Sequence, residues 1–68
     1  MSWNNVIPAW MLDENNRYWI EYTDGTITNF YRRDRNSAHE YFMSEGDHAV
    51  DFGRVVDNPE KKVKFSNE

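Results

Sequence analysis

Cysteine is absent from this sequence. That excludes disulfide bracing and a cysteine-type zinc site, and it leaves the redox compartment open. Long hydrophobic runs are absent too, since no stretch of about 18 apolar residues exists to span a membrane. The opening Met1-Ser2-Trp3-Asn4-Asn5 has no basic start and no apolar core of signal-peptide length, so a cytoplasmic location is expected. There is no internal repeat and no low-complexity segment. The chain opens on Met without a tag or linker, and a complete small gene product is the expectation. Basic residues are the minority, 8 against 12 acidic, for a formal net charge of −4. That balance argues weakly against generic nucleic-acid binding and is too mild to imply DNA mimicry. With 68 residues there is room for one domain, spanning 1–68. A chain so short buries only about 60% of its unfolded surface.

Aromatic residues are plentiful, at 16% of the chain. Each can bury roughly 150–250 Å², which gives a small core a workable payload. They concentrate in Tyr18-Trp19-Ile20-Glu21-Tyr22-Thr23-Asp24-Gly25-Thr26-Ile27-Thr28-Asn29-Phe30-Tyr31. Two aromatic and β-branched runs flanking Asp24-Gly25 predict a hairpin, because Gly reaches positive φ freely and Asp tolerates it. A two-residue turn pairs Tyr22 with Ile27 and Tyr18 with Tyr31. A type I turn with a Gly bulge shifts the pairing by one and brings Phe30 to the Tyr18 face. Either register leaves Trp19 on the less apolar face, with Glu21 and Thr23.

Residues 1–8 read as irregular, with Trp3, Val6 and Ile7 available to cover a core edge. Ala9 to Leu12 reads as a short strand, Asp13 to Asn16 as a polar turn, and Arg17 to Thr23 and Thr26 to Arg32 as the hairpin strands. A helix follows, with Asp34 as N-cap or, alternatively, a Ser37–Glu40 capping box. Ala38, Tyr41, Phe42 and Glu45 fall at i, i+3, i+4 and i+7, on one stripe facing the sheet. Gly46 fits the C′ position. His48 to Val56 reads as a fourth strand with Val50, Phe52 and Val56 inward, and Gly53 marks a bulge or a close backbone contact. After a turn at Asp57 to Glu60, Lys61 to Phe65 reads as a last strand with Val63 and Phe65 inward and Lys62 and Lys64 outward. Residues 66–68 are expected to fray. The predicted class is α+β: a small antiparallel sheet in the order β-β-β-α-β-β, with one short helix on one face.

Little in the chain points to catalysis. Asp51-Phe52-Gly53 spells the metal-binding tripeptide of protein kinases, but the other kinase elements need a far longer chain, so a strand with inward Phe52 is the better reading. His39, Glu40, Glu45, Asp47 and His48 cluster in sequence but match no ligand spacing: Met43 stands where a His-Glu-x-x-His helix needs its second His. Ser37 and Ser44 near the two His lack a separate base, orienting acid and oxyanion donor. A fold this small also has little room for a pocket of about 300 Å³ or more. No enzyme activity, cofactor or metal is expected.

The strongest charged feature is Tyr31-Arg32-Arg33-Asp34-Arg35, which suits phosphate forks and base stacking, or an acidic protein surface. Arg54, Lys61, Lys62 and Lys64 extend that patch if the last strand lies nearby. Asp34 inside the cluster, Arg35 in the first helical turn and the net charge oppose a nucleic-acid role. Trp19, Phe30 and Trp10 form an open aromatic sheet face unless the N-terminal segment, through Trp3 and Ile7, covers it. The leading expectation is a non-enzymatic protein-binding module, an inhibitor or accessory factor of a larger protein or complex, of the kind phages direct at host or defence components. Its expected contacts are Trp10, Trp19, Phe30, Tyr31, Arg32, Arg33 and Arg35. The alternatives are a nucleic-acid binder using the same arginines and a homodimer-forming domain. No membrane contact is expected.

Overall fold

A computed structural model of the chain describes residues 7–63. Three strands, β1 (Arg17–Tyr22), β2 (Ile27–Tyr31) and β3 (Ala49–Arg54), form an antiparallel sheet in the order β2-β1-β3. One helix, α1 (Arg35–Ser44), packs on one face, so the protein is a small two-layer α+β domain. The central strand is the buried one: Tyr18 and Ile20 are fully inaccessible and Trp19 is 4% exposed.

The hairpin takes the bulged register. Gly25, at φ +89°, donates to the Tyr22 carbonyl (2.9 Å), and Tyr22 N–H donates to the Thr26 carbonyl (2.9 Å). Asp24 Oδ1 accepts from Thr26 N–H (3.0 Å) and Oγ1 (2.7 Å). This three-residue loop pairs Tyr18 with Phe30 and Glu21 with Ile27. Phe30 therefore shares the helix-facing side with Tyr18, and its ring lies 5.8 Å from Tyr18 and 4.7 Å from Tyr41.

Asp34 caps α1, its carboxylate accepting from Ser37 N–H at 2.8 Å, so the Ser37–Glu40 box is not needed. Gly46, at φ +79°, follows the helix C-cap Glu45. The i, i+3, i+4, i+7 stripe faces the sheet as the spacing predicts. Ala38 is fully buried, Phe42 stacks on Phe52 at 4.9 Å, and Glu45 accepts from the Tyr22 hydroxyl at 2.7 Å.

Among the described residues, two predicted strands are absent. Ala9–Leu12 is a short 3₁₀ helix after Pro8, whose carbonyl accepts from Met11 N–H (3.0 Å). At the other end, Pro59–Lys61 is a 3₁₀ turn, and Lys62 and Val63 are extended but unladdered. Their polar groups go to a side chain instead, as described below. The inward placement of Val50 and Val56 also fails: they are 54% and 45% exposed, and Val55 is buried instead. The β3 irregularity lies opposite Glu21 and Tyr22 rather than at Gly53. Gly53 makes the predicted close contact, because a Cβ there would stand 3.1 Å from the Trp19 indole. The expectations for Trp3, Val6, Lys64, Phe65 and residues 66–68 lie outside the described residues.

Candidate functional site

The Trp19 face of the sheet is covered, and the C-terminal segment covers it. Asn29, in the middle of β2, holds that segment down. Its Oδ1 accepts from Arg17 Nε (2.9 Å) and from Val63 N–H (2.9 Å), and its Nδ2 donates to the Lys61 carbonyl (3.1 Å). Arg17, only 6% exposed, donates from Nη2 to the Val63 carbonyl (2.6 Å). Lys61 places its ammonium 4.9 Å from the Trp19 ring centre and pairs with Glu21 at 3.0 Å. Trp19 thus lies between Gly53 below and Lys61 above. It is a core residue, and the open aromatic face expected from the sequence does not exist. Ile7, the proposed cover from the N-terminal side, is 57% exposed.

The arginine cluster is dispersed over separate rings. Arg32 lies 4.7 Å from the Tyr41 ring and 5.3 Å from Phe30, and donates to the Tyr31 carbonyl (2.7 Å). Arg33 stands 5.5 Å from the Trp10 ring, and Arg35 stands 5.0 Å from Phe52. Arg54, the neighbour of Phe52 on the same face, donates to the Tyr18 hydroxyl (3.1 Å). Lys61 is on the other face, over Trp19, and does not extend the patch; Lys64 lies outside the described residues. Each guanidinium spends one flat side on a ring, a contact worth about 0.5–1 kcal/mol at exposed sites. Arg32 and Arg54 also spend an N–H on the Tyr31 carbonyl and the Tyr18 hydroxyl, so Arg33 and Arg35 are the two with N–H edges left for an anionic group. Among the described residues the ion pairs are Arg17–Glu14 (3.6 Å) and Lys61–Glu21 (3.0 Å), so Arg33 and Arg35 close no ion pair there, although the charge of Arg33 helps to hold the Asp34 carboxyl below its usual pKa.

Tyr31 is half-buried and tied down. Its hydroxyl donates to Glu14 (2.6 Å), and burial followed by that carboxylate raises its pKa. The histidines and acids near the helix end do not converge. His39 stacks on Phe52 and Phe42, His48 on Tyr22, and no three potential metal ligands gather among the described residues. Asp51 turns back to accept from Phe52 N–H (2.9 Å).

Among the described residues, one apolar stretch left open is the N-terminal 3₁₀ helix. Ala9, Trp10, Met11 and Leu12 are all apolar, and none is buried. Leu12 is 68% and Met11 38% exposed, and Ile7 adjoins them at 57%. Trp10 is half-buried and fixed in place, with Arg33 across its ring and its carbonyl accepting from Asn16 Nδ2 (3.0 Å). Its buried indole N–H has no hydrogen-bond partner among the described residues. Of the residues expected to make contacts, Trp10, Arg33 and Arg35 are accessible at this end of the domain, whereas Trp19 is buried and Phe30 is half-buried on the opposite, helix-facing side. Met11 and Leu12 were missed. The readable signal was an apolar run directly after Pro8, too short to decide between strand and turn. No protein-family model, curated protein or solved structure matches the chain.

Proposed function

We propose that the chain is a small protein-binding module without chemistry of its own, acting as an inhibitor or accessory factor of a larger protein. Its contact surface is Ile7, Trp10, Met11 and Leu12, flanked by Arg33 and Arg35. The observation that carries this reading is the wholly apolar Ala9–Leu12 segment with no buried residue, with Arg33 lying across its Trp10 ring. Trp and Arg are the residues most enriched at interface hot spots, and a fixed Trp costs little entropy on binding. The complementary partner surface has an apolar centre and an acidic rim.

The test is capture of a partner from host lysate with the tagged full chain. Wild type is expected to retain a partner that Trp10→Ala and Arg33→Glu each lose, with unchanged circular dichroism. Retention by both variants sinks the assignment of this surface. The free N–H edges of Arg33 and Arg35 keep a nucleic-acid reading in play, and salt separates the two. Nucleic-acid binding falls steeply between about 50 and 200 mM salt, whereas an apolar-centred protein interface changes far less.

A further inference from the structure

The segment that closes the Trp19 face is held mainly by its backbone. Asn29 meets it with both halves of its carboxamide, donating to the Lys61 carbonyl (3.1 Å) and accepting from Val63 N–H (2.9 Å). These two groups project from the same edge of an extended chain, and Lys62 between them is extended at φ −72° and ψ 131°. Arg17 takes the Val63 carbonyl at 2.6 Å. Any extended peptide offers those three groups unless its third residue is proline. One side chain of the segment is recognised as well. The Lys61 ammonium lies 4.9 Å from the Trp19 ring centre and 3.0 Å from Glu21, while Lys62 points away and is exposed.

We infer that this face is a peptide-binding site occupied in cis. Its ligand in trans is an extended segment of a partner protein, with a lysine followed two residues on by any residue but proline. Main-chain bonds supply the affinity and the lysine cradle the specificity, a division common to the recognition of extended peptides. The receiving groups, Arg17, Trp19, Glu21 and Asn29, stand on β1 and β2, so the paired strands fix them in place without the occupant. The occupant joins no ladder, and the chain leading to it bonds to itself. Asp57 N–H donates to the Arg54 carbonyl (3.1 Å), Asn58 N–H to Val55 (3.0 Å) and Lys61 N–H to Asn58 (2.8 Å). Displacing Lys61 to Val63 therefore breaks bonds to side chains and leaves the three strands paired. The segment also leaves a donor unused: the indole N–H of Trp19, a residue 4% exposed, has no acceptor among the described residues. This site shares no residue with the Trp10 surface, so the two readings stand or fall separately.

Fluorescence anisotropy of a labelled peptide with the sequence of residues 58–63, titrated with the full chain, tests it. In wild type the chain's own segment competes at an effective concentration of about 1 mM or more, which lowers the apparent affinity. Lys61→Glu sets a carboxylate against Glu21 and leaves every receiving residue in place. That variant is expected to bind the peptide about tenfold or more tighter than wild type does. Two altered peptides should each bind it about fivefold or more weaker than the unmodified one. The first carries Glu at the lysine position and loses the Trp19 and Glu21 contacts. The second ends in N-methylvaline and loses the N–H that donates to Asn29. Circular dichroism checks the fold of Lys61→Glu. Should it unfold, Val63→Pro, which removes the same N–H in cis, takes its place, and wild type should rank the three peptides in the same order. Equal affinity of wild type and the opened variant, no binding by any folded form, or indifference to both peptide changes overturns the proposal. Trp10→Ala should bind the peptide as wild type does; loss there would place the peptide at the Trp10 surface and overturn the assignment.

Discussion

Replacing Asn29 with Ala should loosen the whole cover of Trp19. The substitution removes the acceptor of Arg17 Nε and Val63 N–H and the donor to the Lys61 carbonyl. A neutral hydrogen bond contributes about 0.5–1.5 kcal/mol net, and one to a charged group about 1.5–3 kcal/mol. Arg17 keeps the Val63 carbonyl and Glu14, so the lower ends of those ranges apply. Asn is a poor strand residue, and Ala costs nothing extra in β2. The expected loss is about 2–3 kcal/mol. A domain of this length holds about 3–10 kcal/mol in total. The melting temperature should therefore drop by about 10–20 °C. Thermal and urea unfolding, followed by circular dichroism, measure it. Asn29→Asp keeps the Oδ1 acceptor and loses only the donor, so it should show less than half the effect. An Asn29→Ala variant within about 0.5 kcal/mol of wild type, the usual scatter for surface changes, would refute the account of how this face is closed.

Gly53→Ala should destabilise by about 1–3 kcal/mol in urea unfolding, because the new methyl meets the rigid centre of the Trp19 indole at 3.1 Å. Stability equal to wild type would mean that Trp19 can lift off the sheet at no cost. Asp24 and Asp34 titrate below the usual Asp value of 3.8, held there chiefly by the Thr26 hydroxyl and by the Ser37 N–H respectively. Carboxyls with lowered folded pKa stabilise above 3.8 and lose that contribution as pH falls through the folded value. Tyr22 is raised above 10.0 by burial and then by Glu45, so its contribution is complete below 10.0 and lost as pH rises through the folded value. Melting curves should therefore decline at both extremes, with the acid limb shallower in Asp34→Asn, which retains the cap. An acid limb of unchanged steepness in that variant would contradict the assignment.

The hairpin and helix were legible because each rests on local chemistry. Asp24-Gly25 supplies the turn, Asp34 and Gly46 mark the helix ends, and the stripe from Ala38 to Glu45 has the helical period. The turn alone could not choose the register. The bulge does so by moving Phe30 under the helix, where Tyr41 packs on it. The closure of the Trp19 face was not legible, because Lys61, Lys62 and Val63 alternate as a strand does. Period-two alternation over so few residues does not separate a laddered strand from an extended segment bound by a side chain. The clue was Asn29, a polar residue of low β propensity in the middle of an otherwise good strand. Local conflicts of that kind mark positions chosen for a long-range contact. The same ambiguity turned Ala9 to Leu12 into a strand on paper, and with it hid the apolar surface that now carries the functional proposal.

The bond from Arg17 to the Val63 carbonyl spans 46 residues of sequence, whereas the hairpin closes within a few. Loop closure over that distance follows the local contacts, so the hairpin and the helix layer assemble first and the final segment locks on last. The same order runs in reverse under native conditions. The segment from Lys61 to Val63, held by side-chain bonds and not by a ladder, is expected to open below the cost of global unfolding, and exchange at Val63 N–H faster than at the β1 amides checks it. A protease or an exchange experiment would meet the molecule first through this latch. Lys61, Lys62 and Val63, which carry no recognisable motif, therefore set how long the sheet stays shut.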